Sequence, residues 1–219
     1  MKGRAVMKFM KAIRSAELEE YLRGVLFCFG APTIRGLKAA TLLNLRRGPD
    51  EDARAVWDAH CREWLCPLGV EWLLLNEDAV NGGNDLGNSC AKRNALVLIY
   101  RRDILECALA DDGGEGVLAS LGYPVPDVSG CLECLKARYK IAFPHEIGIF
   151  LGYPPDDVRR FMECPMSECI MSGYWKVYGD VCKARSAVRR FRRAERDAAR
   201  LLLMSLRQNG SKSPCPTGR

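Results

Sequence analysis

The alternation of apolar and polar positions divides the chain into helical and extended stretches separated by clear breaks. Between Met7 and Leu26, the residues Phe9, Met10, Ile13, Ala16, Leu18 and Leu22 recur at near-helical spacing with charges between them, which predicts one amphipathic helix. Phe29 to Pro32 ends it. Thr33 to Leu45, carrying Ile34, Leu37, Leu42, Leu43 and Leu45, then reads as a strand before the Gly48-Pro49 break. Asp50 to Cys66 predicts a second helix, because Asp50 is a suitable N-cap, Glu51 and Asp52 suit the positive end of the dipole, and Pro67 stops it. Val80 to Asn94 is rich in Gly and Asn without periodicity and reads as an exposed loop. The continuous run Ala95-Leu96-Val97-Leu98-Ile99-Tyr100 that follows it predicts a buried strand.

Beyond Arg101 the sequence repeats itself. Leu121-Gly122-Tyr123-Pro124-Val125-Pro126-Asp127-Val128 is matched thirty residues later by Leu151-Gly152-Tyr153-Pro154-Pro155-Asp156-Asp157-Val158. In each copy an apolar helix ends at Leu, Gly supplies a left-handed turn, Pro forbids continuation and Asp caps the next helix. Gly173 to Gly179 alternates aromatic and apolar residues between two glycines and reads as a strand over Tyr174 to Tyr178. The last helix, Val181 to Leu206, places Val181, Ala184, Val188, Phe191, Ala198 and Leu202 on one stripe and arginines on the other.

These elements predict a helix-dominated α+β fold. Its small sheet of three or four strands is built from Thr33–Leu45, Ala95–Tyr100 and Tyr174–Tyr178, covered by helices, with the two helix-LGYP-helix units as the second half. We expect one globular domain over 1–208, with an N-terminal α/β half at 7–110 and a helical-hairpin half at 111–208, followed by a disordered tail at 209–219.

Composition narrows the function classes. The chain of 219 residues is 48% hydrophobic and 27% charged, enough to bury a sizeable core. No apolar stretch approaches the roughly 20 residues that span a bilayer, so no membrane partner is expected. Lys8, Lys11 and Arg14 interrupt any signal-peptide core, so we expect a cytoplasmic protein whose eleven cysteines are reduced. The net charge of +6 is concentrated: nine Lys or Arg against Glu195 and Asp197 give Val181 to Arg207 a charge of +7. A polyanion would therefore have to meet the last helix alone.

Phe143-Pro144-His145-Glu146-Ile147-Gly148, continuing through Phe150-Leu151-Gly152-Tyr153-Pro154, and the stretch Gly173-Tyr174-Trp175-Lys176-Val177-Tyr178-Gly179 resemble a bacterial family catalogued as domain of unknown function 3793. Ala31-Pro32-Thr33 with Gly36 and Lys38, and the Leu96 to Arg101 strand, resemble it too, so the likeness covers most of residues 7–195. It departs at Gly30 and Ala39, where the family usually carries Cys and Pro. The resemblance implies no activity, cofactor or catalytic residue.

Candidate chemistry centres on His145. A histidine beside the carboxylate of Glu146 is the equipment of acid–base catalysis, although the same pair also suits a first helical turn. Tyr153, Trp175, Lys176 and Tyr178 would join it as binding residues if the final strand packs beside this turn, and Lys38 is a further candidate. The favoured function is a ligand-binding or regulatory protein with this site, for an unknown small molecule or protein partner; an enzyme using His145 and Glu146 is the alternative. Gly148, Gly152 and Val158 also reproduce a helix-turn-helix spacing, and Arg189, Arg190, Arg192, Arg193 and Arg196 would serve a nucleic-acid partner. Asp156 and Asp157, at the head of the would-be recognition helix, argue against that reading. Cys131-Leu132-Glu133-Cys134, the Cys164 and Cys169 pair, and His60-Cys61 with Cys66 lack the spacing of a zinc site, and no metal is assigned. No phosphate-binding glycine fingerprint occurs, and the cofactor is left open.

Overall fold

In the computed structural model, residues 3–76 and 94–210 are described. The molecule is helix-dominated α+β, with a three-stranded antiparallel sheet and a separate two-stranded one. Strand β1 (Ala40–Leu45) and strand β2 (Glu71–Leu74) flank the central β3 (Ala95–Tyr100), with Ala40 opposite Tyr100 and Glu71 also opposite Tyr100. The central position explains the unbroken apolar run. Alternate side chains of β3 leave its two faces, and both faces are covered.

The sheet separates two cores. Leu98 and Tyr100 join Leu105, Leu118, Leu135, Ile149 and Phe150 on the side of the LGYP hairpins. Ala95, Val97 and Ile99 join Leu22, Leu26, Trp57, Trp64 and Leu65 on the other. That second core comes from α2 (Leu18–Phe29) and α4 (Ala53–Leu65). A third cluster, Val6, Phe9, Ile13, Cys28 and Ala199, joins α1 (Arg4–Ala12) to the C-terminal helix α10 (Val181–Gly210).

Several sequence expectations are corrected. The single helix predicted over Met7–Leu26 is two, because the chain breaks after Ile13 and α1 folds back on α2. Gly24 permits that approach: a Cβ there would lie 2.9 Å from Phe9 and 3.0 Å from Ile13. The strand predicted from Thr33 begins only at Ala40. Ala31–Ile34 is a helical turn, α3, with Pro32 in its first turn, and Gly36 leaves it at φ 69°. Helix α4 is capped by Asp52, which accepts from Ala55 N at 2.9 Å, rather than by Asp50. The Gly173–Gly179 stretch does not enter the main sheet. Its two-residue β5 (Lys176–Val177) pairs with β4 (Met171–Ser172), and the third strand of the main sheet is β2. The predicted loop, except for Asn94, and the tail from residue 211 lie outside the described residues.

The duplicated unit forms as α6 (Asp112–Ser120) to α7 (Val128–Tyr139), and as α8 (Ile147–Phe150) to α9 (Pro155–Glu163), with α5 (Arg102–Leu109) leading into the pair. Gly122 and Gly152 hold φ 83° and 70°, the left-handed turn that the sequence demands. In α8, Gly148 lets α9 cross closely, since a Cβ there would meet Val158 at 2.7 Å. Gly30 is equally confined, with Leu26 O 2.5 Å from the Cβ it lacks. No helix among the described residues is long and apolar enough to cross a membrane.

Two glycine replacements in the first unit are expected to act with opposite sign. A Cβ at Gly122 would meet nothing, so Gly122→Ala isolates the backbone term and costs about 1–2 kcal/mol. Gly116, exposed within α6 with equally open space, gains about 0.5–1 kcal/mol on replacement by Ala. Urea unfolding of the two variants measures both.

Candidate functional site

The site is built from the second LGYP turn outward. Helix α8 is a single buried turn, and Gly152 then reverses the chain beside Ala39, whose Cβ is 3.6 Å from where a Gly152 Cβ would be. This sets Tyr153 next to Lys38. In α9 the predicted cap does not form: the N-cap position is Pro154, with no side-chain bond to the helix. In the first unit Asp127 does cap α7, accepting from Ser129 N and Gly130 N at 3.0 Å.

Asp157 is instead drawn away from its own helix. Only 3% exposed, its carboxylate accepts from Trp175 Nε1 at 2.8 Å, Tyr178 N at 2.8 Å and Gly179 N at 2.9 Å. Three donors on one ionised group satisfy a buried charge that would otherwise be costly. They also clamp the β4–β5 hairpin onto α9. Trp175 consequently stacks on Tyr153, with centroids 4.7 Å apart and 22° between the planes.

The clamp opens a hollow of about 390 Å³ between the hairpin and the His145 turn, bordered by His145, Tyr153, Phe161, Tyr174, Trp175 and Lys176. His145 is exposed and meets Phe161 edge to face at 5.1 Å. Lys176 donates to Pro165 O at 2.7 Å and lies over the Phe161 ring. Glu146 does not border this hollow. It is 3% exposed, ion-paired with Arg138 and hydrogen-bonded by the Tyr123 hydroxyl at 3.0 Å, and it shares with His145 only a smaller depression of about 300 Å³. Burial, reinforced by Glu146, pushes the Tyr123 hydroxyl up, and the hydrogen bond to Glu146 pushes Arg138 up. Tyr178 lies outside both, under Arg160, its hydroxyl buried with no hydrogen-bond partner among the described residues.

Behind Tyr153 lies a larger cavity of about 800 Å³, which contains Lys38. Leu151, Tyr153, Gly173 and Tyr174 border both spaces. Lys38 is 6% exposed, and its ammonium sits over the rings of Tyr153 at 5.1 Å, Tyr174 at 5.7 Å and Phe191 at 5.9 Å. Burial lowers the amine from its usual 10.5 to about 8, against the attraction of Glu195. Glu195 accepts from the Tyr174 hydroxyl at 2.7 Å. Beneath Lys38 the buried Thr33 and Thr41 hydroxyls share a 2.8 Å hydrogen bond. The stretches at Ala31–Lys38, Phe150–Pro154 and Gly173–Gly179 thus meet around one ring, that of Tyr153.

The structure therefore brings His145, Tyr153, Trp175 and Lys176 together, and places Lys38 on the other side of Tyr153. Arg189, Arg190, Arg192 and Arg193 project from α10 as exposed side chains, while Arg196 is half-buried beside Asp197 at 3.6 Å. Arg192 and Arg196 border the Lys38 cavity. Asp157, Tyr174 and Glu195 are not found by sequence reasoning. Asp157 follows a turn and matches the pattern of a cap, and the partners that claim it are 18 to 22 residues away. No three His, Cys, Asp or Glu residues among the described residues lie close enough to hold a metal ion.

Two measurements probe this arrangement. Asp157→Asn replaces one acceptor oxygen by a donor that faces other donors, and is expected to cost about 2–3 kcal/mol. Amide exchange at Tyr178 and Gly179 should rise with it, ahead of exchange in the central strand. Lys38 sets a pH dependence. Between about 8 and 10.5 the unfolded chain holds a proton on this amine that the folded chain has released, so folding stability rises with pH across that window. Relative to Lys38→Met, the unsubstituted protein should gain stability over this interval in parallel denaturation curves.

Comparison with curated proteins and with solved structures returns no match. A family model matches residues 26–209, a span that holds Lys38, His145, Tyr153, Asp157, Trp175 and Glu195 and leaves α1 outside it. The chain belongs to that family, described as Protein of unknown function (DUF3793).

Proposed function

We propose that the protein binds a small molecule in the hollow between the His145 turn and the β4–β5 hairpin. The observation that carries this reading is the convergence of His145, Tyr153, Trp175 and Lys176 on one space of about 390 Å³. That volume falls within the range of small-ligand sites, and its walls are aromatic with a few polar groups, the composition such sites share. Phe161 and Trp175 offer ring faces, Lys176 a cation and His145 a group that donates or accepts. A planar ligand carrying a negative group fits these walls.

The acid–base alternative draws less support, because the Glu146 carboxylate is engaged by Arg138 and Tyr123. The nucleic-acid alternative is weakened at the head of α9, where Asp157 is buried and bonded to the Trp175 hairpin. Helix α10 keeps exposed arginines, but Arg193, Arg196 and Arg200 all lie within 4 Å of Asp197.

A thermal-shift screen of aromatic acids tests the proposal. His145 is exposed, so His145→Ala should leave the unliganded melting temperature within about a degree, as surface replacements do. A ligand that stabilises the unsubstituted protein should lose its shift in His145→Ala and in Lys176→Ala. Shifts that persist in both variants would place binding elsewhere.

A further inference from the structure

Lys38 is a mostly buried cation on a cavity wall. It is 6% exposed, borders the cavity of about 800 Å³, and makes no hydrogen bond among the described residues. Its surroundings are the three ring faces of Tyr153, Tyr174 and Phe191. An ammonium carries three donors, each of which costs free energy when buried without an acceptor. A protonated imine carries one donor and spreads its charge onto carbon. It keeps the attraction of the ring faces for a cation while asking for fewer acceptors. The wall adds one carboxylate, Glu195, held by the Tyr174 hydroxyl at 2.7 Å. Val6, Met10, Val25 and Phe29 give the space an apolar side, while Arg46, Arg192 and Arg196 also border it.

We propose that Lys38 is a nucleophile that captures an aldehyde or ketone with an apolar body as a protonated imine inside this cavity. The neutral Nζ attacks the carbonyl carbon. A C–N bond forms while the carbonyl π pair moves to oxygen, which takes up a proton, and nitrogen releases one, giving a carbinolamine. The hydroxyl takes a second proton and leaves as water as the nitrogen lone pair closes the C=N bond. The sum is amine, carbonyl compound and one proton in, iminium and water out, with no oxidant or reductant. Glu195 is the acidic group on the wall that passes these protons. Burial supports the first step, because it brings the amine down to about 8 and leaves much of it neutral near that pH. The capture depends on the Lys38 cavity alone and not on ligand binding beside His145.

The test uses hexanal with cyanoborohydride, which reduces each imine to a stable secondary amine, followed by peptide mapping of the full chain by mass spectrometry. At pH 8 the neutral fraction of Lys38 exceeds that of an ordinary lysine by roughly 100-fold, and the Lys38 peptide should be modified at least about ten times faster than exposed lysines such as Lys183. Its rate should be half-maximal near pH 8, whereas exposed lysines keep gaining beyond pH 10. Lys38→Arg keeps the cation, cannot form an imine and should lose the fast phase. Mapping of the unsubstituted chain needs no variant, so the outcome stands even if Lys38→Arg fails to fold. Modification of Lys38 no faster than of exposed lysines, or only in urea, would overturn the proposal.

Discussion

The buried carboxylate of Asp157 is the constraint from which the site follows. Removing an ionised group from water is costly unless donors replace its hydration, and here one indole N–H and two backbone amides do so. These three bonds, spanning 18 to 22 residues, join consecutive elements, α9 and the β4–β5 hairpin, whose two-residue strands have little pairing of their own. A hairpin with so short a ladder is marginal in water. Its position therefore rests on the carboxylate and on the Tyr153–Trp175 stack that the carboxylate aligns.

The main sheet explains why a cavity of this size lies beside that hairpin. Sheet faces pack closely where β3 is covered on both sides, but β1 is an edge strand that begins just after Lys38. Helix α10 crosses from the hairpin to α1, α2 and α3. Spanning those elements, it leaves space under Phe191 and Glu195 rather than filling it, and Lys38 extends into that space. A lysine at a core boundary normally carries its head to water along its stem. Here the head stands among the rings of Tyr153, Tyr174 and Phe191 at the cavity wall.

Much of the scaffold was legible in the sequence, and the failures share one cause. The Ala95–Tyr100 run announced a strand covered on both faces, and Gly122 and Gly152 announced left-handed turns, because both signals are local and have few alternatives. The break after Ile13 was invisible, since the apolar spacing runs on through the turn, and only packing against Gly24 requires it. Glu71–Leu74 is short and half-buried along its length, so it carries no alternation to read. The Tyr174–Tyr178 alternation predicts a strand but not its sheet, because the pattern cannot name its partner. His145, Tyr153, Trp175 and Lys176, which border one hollow, stand out in the sequence by type and by family likeness. Asp157 and Glu195 do not, since their roles are fixed by contacts across the fold.

Tyr153 links the two spaces physically. Trp175, nearly parallel at 4.7 Å, occupies one face of its ring. The Lys38 ammonium, 5.1 Å from the same centroid, must then approach the opposite face. The negative face of an aromatic ring attracts the cation, while the indole shields the other side from water. Tilting that ring would withdraw a face from Lys38 and loosen the Trp175 stack in one movement. Gly152 and Pro154 restrict such a tilt, one by its left-handed φ and the other by its ring, and both belong to the repeated LGYP turn. In the first copy the equivalent tyrosine, Tyr123, donates to Glu146 and packs against Phe150 in the core. One turn thus anchors the hairpins, and its duplicate presents the ring that the two hollows share.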